Sequence, residues 1–436
     1  MANNTDRSLQ TQVIYSVYIR NHTTEGTFLS LIPDLDRIRK LGTDLIWLLP
    51  IHPIGVKGKK GSLGCPYANR DYRSVNPAYG TMDDFRLLVD EIHRRGMKVM
   101  IDVVYNHTSP DSVLFETHPE FFYKDESGKP CNKFGDWSDV IDLDYAVPAL
   151  WDYQIESLRF WAGIVDGFRC DVASLVPLAF WKAARAAVAE VNPDCIWLAE
   201  TVHRSFGSLA RRMGFPAMRD AEAYEAFDLE YDYDIREVFD KVLRKQAPLS
   251  AWVDLLCFQE EVYPENYNKM RCLENHDQPR IASVVPEESD LVNYTAMLYF
   301  LKGTTLLYAG QEWEDAHLPS LFEKEPIDRN TGRDLSPLLK KLSEIKHACF
   351  SGNDAFWGGA DDGLRIAALR RGNYAGVFSL DSRSGRVPLD APDGIYEDLI
   401  AGRTVEVKDG TVFCPGRPLI FALGKKAFPF PGRQQA

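Results

Sequence analysis

The chain has 436 residues, 45% of them hydrophobic, with 50 Lys and Arg against 63 Asp and Glu, a net charge of −13. That length exceeds one ordinary core but accommodates a barrel of about 250 residues with insertions and a smaller second domain. The acidic balance excludes a nucleic-acid partner, whose phosphates need a basic face, and the absence of any run of about 18 apolar residues excludes a membrane-spanning helix. Residues 1–10 lack the basic and apolar regions of a secretory signal. The eight cysteines lie far apart without C-x-x-C spacing, and Cys170, Cys195 and Cys272 fall in apolar runs where a reduced Cys packs as a small hydrophobe. The prediction is a cytoplasmic protein with free thiols.

Residues 12–20 read as a first strand, 29–41 carry helical spacing through Leu31, Leu35 and Ile38, and 44–49 form a second buried strand. Strand, helix, strand implies a parallel crossover. Thr81 with Asp84 three residues on caps a helix whose stripe is Phe85, Leu88, Val89 and Ile92, and Gly96 ends it. Residues 98–104 follow as strand three. From 109 to about 148 the text turns aromatic and rich in Gly, Pro and Asp with no period, which reads as a functional insertion at a barrel-strand exit. Strands at 165–170, 195–199, 227–231, 270–273 and 304–308, separated by helical text, bring the count to eight strand-helix units, the last helix covering 335–348. Beyond about Ser351 the period becomes two, and Asp409-Gly410 between alternating runs signals a two-residue hairpin. The predicted fold is a (β/α)8 barrel, residues 1–108 and 149–348. A short subdomain is inserted after the third strand, residues 109–148, and residues 349–436 form a C-terminal antiparallel β-sandwich.

Three strands end in acids. Val165-Asp-Gly-Phe-Arg-Cys-Asp171 puts Arg169 and Asp171 on one face by the period of two, the next strand ends at Glu200, and the strand to Leu273 is followed by Glu274 and Asp277. Asp102, Asn106 and His107 follow strand three in the same way. Retaining glycoside hydrolysis needs a carboxylate nucleophile and a carboxylic acid about 5 to 5.5 Å apart. Neighbouring strands lie about 4.8 Å apart, which suits Asp171 and Glu200 on consecutive strands. Arg169 favours an ionised Asp171, while a desolvated Glu200 among other carboxylates keeps its proton longer. Asp277 is a candidate to oppose positive charge in an oxocarbenium-like transition state.

The segments Asp102-Val-Val-Tyr-Asn-His107, Gly167-Phe-Arg-Cys-Asp171, Trp197-Leu-Ala-Glu200 and Glu274-Asn-His-Asp277 resemble, in order, the four signature regions of the α-amylase family. Residues 64–72 resemble the family's segment ahead of the third barrel strand, and Tyr308-Ala-Gly-Gln-Glu312 its eighth-strand end. The resemblance implies a retaining α-glycosidase in which Asp171 is the nucleophile, Glu200 the general acid and base, and Asp277 the transition-state stabiliser. It places Tyr67, Asp102, His107, Arg169 and His276 around the sugar at the cleavage point, with Tyr67 as a stacking platform. The implied substrate is a malto-oligosaccharide or starch-derived glucan with α-1,4 bonds. No organic cofactor is implied, and a monomer or weak homo-oligomer is expected. Residues 172–175, Val-Ala-Ser-Leu, depart from the Lys-His that many starch-degrading members carry there. The His of that pair helps bind a structural calcium through its carbonyl, so although Asn106 matches another calcium ligand, no metal is expected here.

Bland readings stand beside these. A buried charge pair such as Arg169 with Asp102 also serves structure alone, and His107, His276 and Tyr67 taken singly read as packed rim residues. Asp228, Glu230 and Asp232 alternate on a strand without matching any motif and read as structural or solvated, whereas Trp137 in the insertion reads as a cleft residue. A metal-dependent barrel hydrolase predicts a His-x-His near the first strand, where only His22 occurs. A non-catalytic carbohydrate-binding relative predicts loss of one of the three acids, and all three are present. Hydrolysis, the expected activity, and transglycosylation, its alternative, share the same covalent intermediate, and the sequence does not decide between them.

Overall fold

A computed structural model describes residues 5–134 and 137–424. The expected ends of the barrel and C-terminal segments at 1–4 and 425–436, and residues 135–136 of the insertion, lie outside the described residues. Eight parallel strands close into a barrel in chain order: β1 Val13–Val17, β2 Leu45–Leu48, β3 Lys98–Val103, β4 Gly167–Cys170, β5 Ile196–Ala199, β6 Leu229–Tyr231, β7 Lys269–Arg271 and β8 Thr304–Tyr308. Each pairs with the next, and β8 returns to β1 through Val13 opposite Thr305. β1 and β2 are largely apolar and buried at every position because both of their faces are covered.

The crossover helices follow local rules. Thr81 and Asp84 form the capping box of Met82–Arg94, and Gly96 leaves that helix at φ +69°, a left-handed turn that suits glycine. The helix expected over 29–41 is broken into Phe28–Leu31, a 3-10 turn Ile32–Asp34 and Leu35–Lys40. The interruption falls at Pro33, which lacks the N–H that a continuous helix would use. After β3, His107–Thr108 pairs antiparallel with Ile141–Asp142. This two-residue ladder fastens the loop-rich inserted segment to the barrel rim.

The C-terminal part holds two four-stranded antiparallel sheets. One is ordered Phe356–Asp361, Ile366–Arg371, Tyr374–Ser379, Leu419–Ala422; the other is Ser384–Pro388, Thr411–Pro415, Thr404–Lys408, Gly394–Glu397. Period-two alternation divides the first sheet's side chains. Ile366, Ala368 and Val377 pack with Val387, Val405, Val407 and Val412 of the second sheet, while Ala367, Leu369 and Phe378 join the barrel's own core. Asp409 at φ +52° and Gly410 at φ +66° make the two-residue turn between Thr404–Lys408 and Thr411–Pro415. All eight cysteines are free thiols. Among the described residues no helix is long and apolar enough to cross a membrane.

Candidate active site

The strand register brings the two central acids together. Cys170 of β4 lies opposite Ala199 of β5, and the Glu200 N–H donates to the Cys170 carbonyl at 3.0 Å, so Asp171 and Glu200 leave adjacent strands one step later. Both line a cavity of about 470 Å³ at the strand exits, within the usual range of about 300–1,000 Å³ for small-molecule sites. Tyr67, His107, Trp137, His276 and Asp277 line it as well.

Arg169 organises the acids from beneath. Its guanidinium donates to Asp102 Oδ1 and Asp171 Oδ1, both at 2.8 Å, and reaches Glu200 Oε1 at 2.9 Å. The rings of Trp47, Tyr67 and Tyr231 stand 5.1, 5.7 and 5.4 Å from it, which keeps water out and fixes the cation. One buried positive charge facing three carboxylates leaves an excess of negative charge if all three ionise. Burial pushes Asp171 up to about 6 against the pull of Arg169, and it pushes Glu200 up to about 8. Asp102 is also raised by burial. The order expected from sequence, with Glu200 above Asp171, therefore holds, although Arg169 does not keep Asp171 at its ordinary value.

Around this centre, Tyr67 donates to Asp102 Oδ2 at 2.9 Å, and its ring stacks on His276 at 5.4 Å. His276 Nε2 is 3.0 Å from Asp277 Oδ2; this pairing lowers the Asp277 carboxyl despite partial burial and raises His276. Asp277 stands at the mouth with its side chain 44% exposed. His107 Nε2 is 3.9 Å from Asp171 Oδ2, and burial lowers its basicity, favouring a neutral imidazole beside the Trp137 ring. Val172 adopts φ +35°, a left-handed conformation costly for a β-branched residue, and from it donates its N–H to Glu200 Oε2 at 2.7 Å. The strain lies between the two acids and aims a donor at one of them.

Asp171, Glu200, Asp277, Tyr67, His107 and His276 thus converge on one cavity. Asp102 and Arg169, expected against substrate, do not line it: both are fully buried and spend their contacts on each other, on Tyr67 and on the other acids, because a buried charge has to be paired. Glu274 is tied to Arg280 at 2.6 Å and to the Ile281 N–H, and Glu312 to Tyr15 and Arg37, so these acids are structural. His22 pairs with Asp34 at 2.8 Å. Sequence reasoning missed Lys60, Asp139, Val172, His203, Phe206, Tyr233 and Phe322, all in the lining. Most come from loops or helix starts where no period marks them.

The residues near Asn106 do not fit a calcium ion. Asn106 Nδ2 faces His107 Nδ1 at 3.2 Å and Asp142 Oδ1 at 3.5 Å, the other Asp142 oxygen accepts the Lys133 N–H, and the Lys133 ammonium donates to the Leu143 carbonyl. Donors and a lysine stand where a hard cation needs a shell of six to eight oxygens.

The family model for the α-amylase catalytic domain matches residues 15–355, and that for the bacterial α-amylase C-terminal domain matches 370–421. The chain belongs to the α-amylase family. A crystal structure of an α-amylase from Lactobacillus plantarum is 42% identical and superposes with a TM-score of 0.91, covering 95% of this chain and 99% of that one. The maltogenic α-amylase AmyB from Thermotoga neapolitana is 33% identical with a TM-score of 0.85, over 95% and 99% of the two chains. Among curated relatives, the α-amylase MalA of Haloarcula japonica is 26% identical over 89% of this chain, which spans 58% of that relative's length.

Proposed function

We propose that this family member is a retaining α-glycoside hydrolase that cleaves α-1,4 bonds of malto-oligosaccharides or starch-derived glucans without an organic cofactor or metal. The observation that carries the reading is the pairing of Asp171 and Glu200 on one guanidinium and one cavity, with Asp171 the more acidic of the two. Adjacent parallel strands about 4.8 Å apart suit the separation of about 5 to 5.5 Å that retention requires.

In the first step the Asp171 carboxylate attacks the anomeric carbon as Glu200 gives its proton to the departing glycosidic oxygen, leaving a glycosyl ester on Asp171. In the second, Glu200, now a carboxylate, takes a proton from water, whose oxygen attacks the same carbon and releases Asp171. Asp277, held ionised by His276, opposes the positive charge that develops on the sugar ring. Arg169 and Asp102 are positioning residues. The α-1,4 assignment is supported by relatives named α-amylase and maltogenic α-amylase.

Relatives named trehalose synthase and maltosyltransferase, 28% and 31% identical over part of the chain, favour a second reading in which a sugar hydroxyl replaces water in the second step. Product analysis on maltotriose to maltoheptaose, cyclodextrin, pullulan and sucrose, beside Asp171→Asn, separates the two. Hydrolysis gives shorter sugars, released first as the α-anomer; transfer gives some products longer than the substrate. Equal turnover by Asp171→Asn would sink both.

A further inference from the structure

The chemistry gives the cavity two ends. A general acid must face the leaving oxygen, which assigns the leaving sugar to the Glu200 side, where Val202 and His203 follow Glu200 in the lining, and the sugar that becomes attached to Asp171 to the side of Tyr67 and His107. On the leaving side the lining continues through Val202 and His203 into a second cavity of about 280 Å³. Three segments that fasten to one another meet the cavity on the His107 side: residues 57–64 after β2, residues 137–140 of the insertion, whose Trp137 ring stands 5.5 Å from that of His107, and residues 320–323 after β8.

Lys60 Nζ lies 2.9 Å from Asp139 Oδ1, joining the first segment to the second. The Leu63 N–H donates to the Phe322 carbonyl at 3.0 Å, the Ser62 N–H donates to Glu323 Oε1 at 2.7 Å, and the Ser62 hydroxyl bonds the same carboxylate. Gly61, at φ +64°, sits so close to Phe322 that an added Cβ would meet that residue's Cβ at 2.6 Å. Lys60, Asp139 and Phe322 all line the catalytic cavity. Asp139 is buried, and its Oδ2 has no hydrogen-bond partner among the described residues. A buried acceptor without a partner is costly, and an arriving hydroxyl satisfies it.

We propose that Lys60 and Asp139 form the end wall of the glycone side and hold the hydroxyls of a non-reducing terminal sugar, the ammonium donating and the carboxylate accepting. The protein then takes α-glucans by their free non-reducing ends and releases a short product of fixed length. This rests on the assignment of Asp171 and Glu200 above.

The test uses an aryl maltoheptaoside with a free non-reducing end and the same compound with its terminal O4 and O6 bridged by an ethylidene group. The intact protein is expected to cleave the blocked compound about ten- to hundredfold more slowly, the loss of one or two hydrogen bonds to charged groups. Lys60→Ala, at a partly exposed side chain, raises the blocked-to-free ratio towards one. Glu323→Ala, which loosens the wall from outside the cavity, moves it the same way by less. Equal rates on both compounds in the intact protein, or a ratio unmoved in both variants, overturn the proposal. Turnover of α-glucosyl fluoride, which reaches Asp171 without needing the wall, separates the two failures. If the fluoride turns over and the ratio is one, only the wall is lost; if Asp171→Asn turns the fluoride over as fast as the intact protein, the catalytic assignment falls and the wall with it.

Discussion

Two clusters in this barrel have nearly the same composition and different outlets. Around Arg169 of β4 stand Asp102, Asp171 and Glu200, with the rings of Trp47, Tyr67 and Tyr231. Around Lys269 of β7 stand Asp220 at 2.6 Å, Glu230 at 3.1 Å and Asp234 at 3.4 Å, with the rings of Tyr263 and Tyr224 at 4.5 and 5.9 Å. In both, one buried cation faces three carboxylates, and burial raises carboxyl groups: Asp171 and Glu200 in the first, Glu230 and Asp220 in the second. The difference is position along the strand. Asp171 and Glu200 lie one residue past the last paired position and open into the cavity, whereas Glu230 lies inside β6 with its side chain fully excluded from solvent. Asp220 and Asp234 of the second cluster reach the cavity of about 280 Å³, so it is Glu230 that shows a raised carboxyl facing no space a substrate can enter, and perturbed acidity alone does not mark a reactive site.

Substitutions at the two clusters should separate chemistry from stability. Asp171→Asn or Glu200→Gln is expected to fold normally and to lose about 10²–10⁴-fold or more in turnover of an unactivated glucan. The opposite pattern is expected for Lys269→Met: a loss of about 3–5 kcal/mol in urea unfolding, from carboxylates left without their cation, and undiminished turnover by the folded fraction at low temperature. A Lys269 variant that is stable yet inactive would erase the distinction drawn between the clusters.

The pH profile sharpens it further. The nucleophile must be ionised, so activity falls as pH drops through about 6, and the acid must hold its proton, so activity falls as pH rises through about 8. Because both groups share Arg169, the limbs of the kcat/KM bell belong to the pair. Loss of Glu200 should remove the alkaline limb and leave the acid one. The smallest effect is at Val172. Val172→Gly should change stability by less than about 1 kcal/mol, since relief of the left-handed strain offsets lost packing and the added freedom of the unfolded chain. Thermal melts of the variant and the intact protein check this.

Much of this architecture was legible in the chain because it rests on local rules. The period of two in 165–171, the Thr81 and Asp84 box and the Asp409-Gly410 turn each act over a few residues, and each is found in the structure. Pro33 shows the limit of reading a stripe alone: Leu31, Leu35 and Ile38 keep helical spacing while the backbone between them changes hydrogen-bond pattern. Asp228, read as structural or solvated, is buried against Arg185 and the Trp197 N–H, while Glu230 and Asp232 are buried against Lys269 and Arg271. Alternation alone does not say whether an acid at a strand end meets a cavity or a cation.

The sequence by itself determined the strand-helix succession, the insertion after β3, the two-period tail and the acids at the exits of β4 and β5, since hydrophobic spacing and turn chemistry act between near neighbours. Only the tertiary structure decided what those acids face. It placed Arg169 beneath three carboxylates, drew Asp102 away from the cavity, set a lysine beside Asp142 and joined Lys60 to Asp139 across 79 residues of chain. Apart from Arg169 with Asp171, which the period of two already sets on one face, such contacts depend on barrel closure and on how the loops fold over one mouth, and the spacing of near neighbours does not encode them.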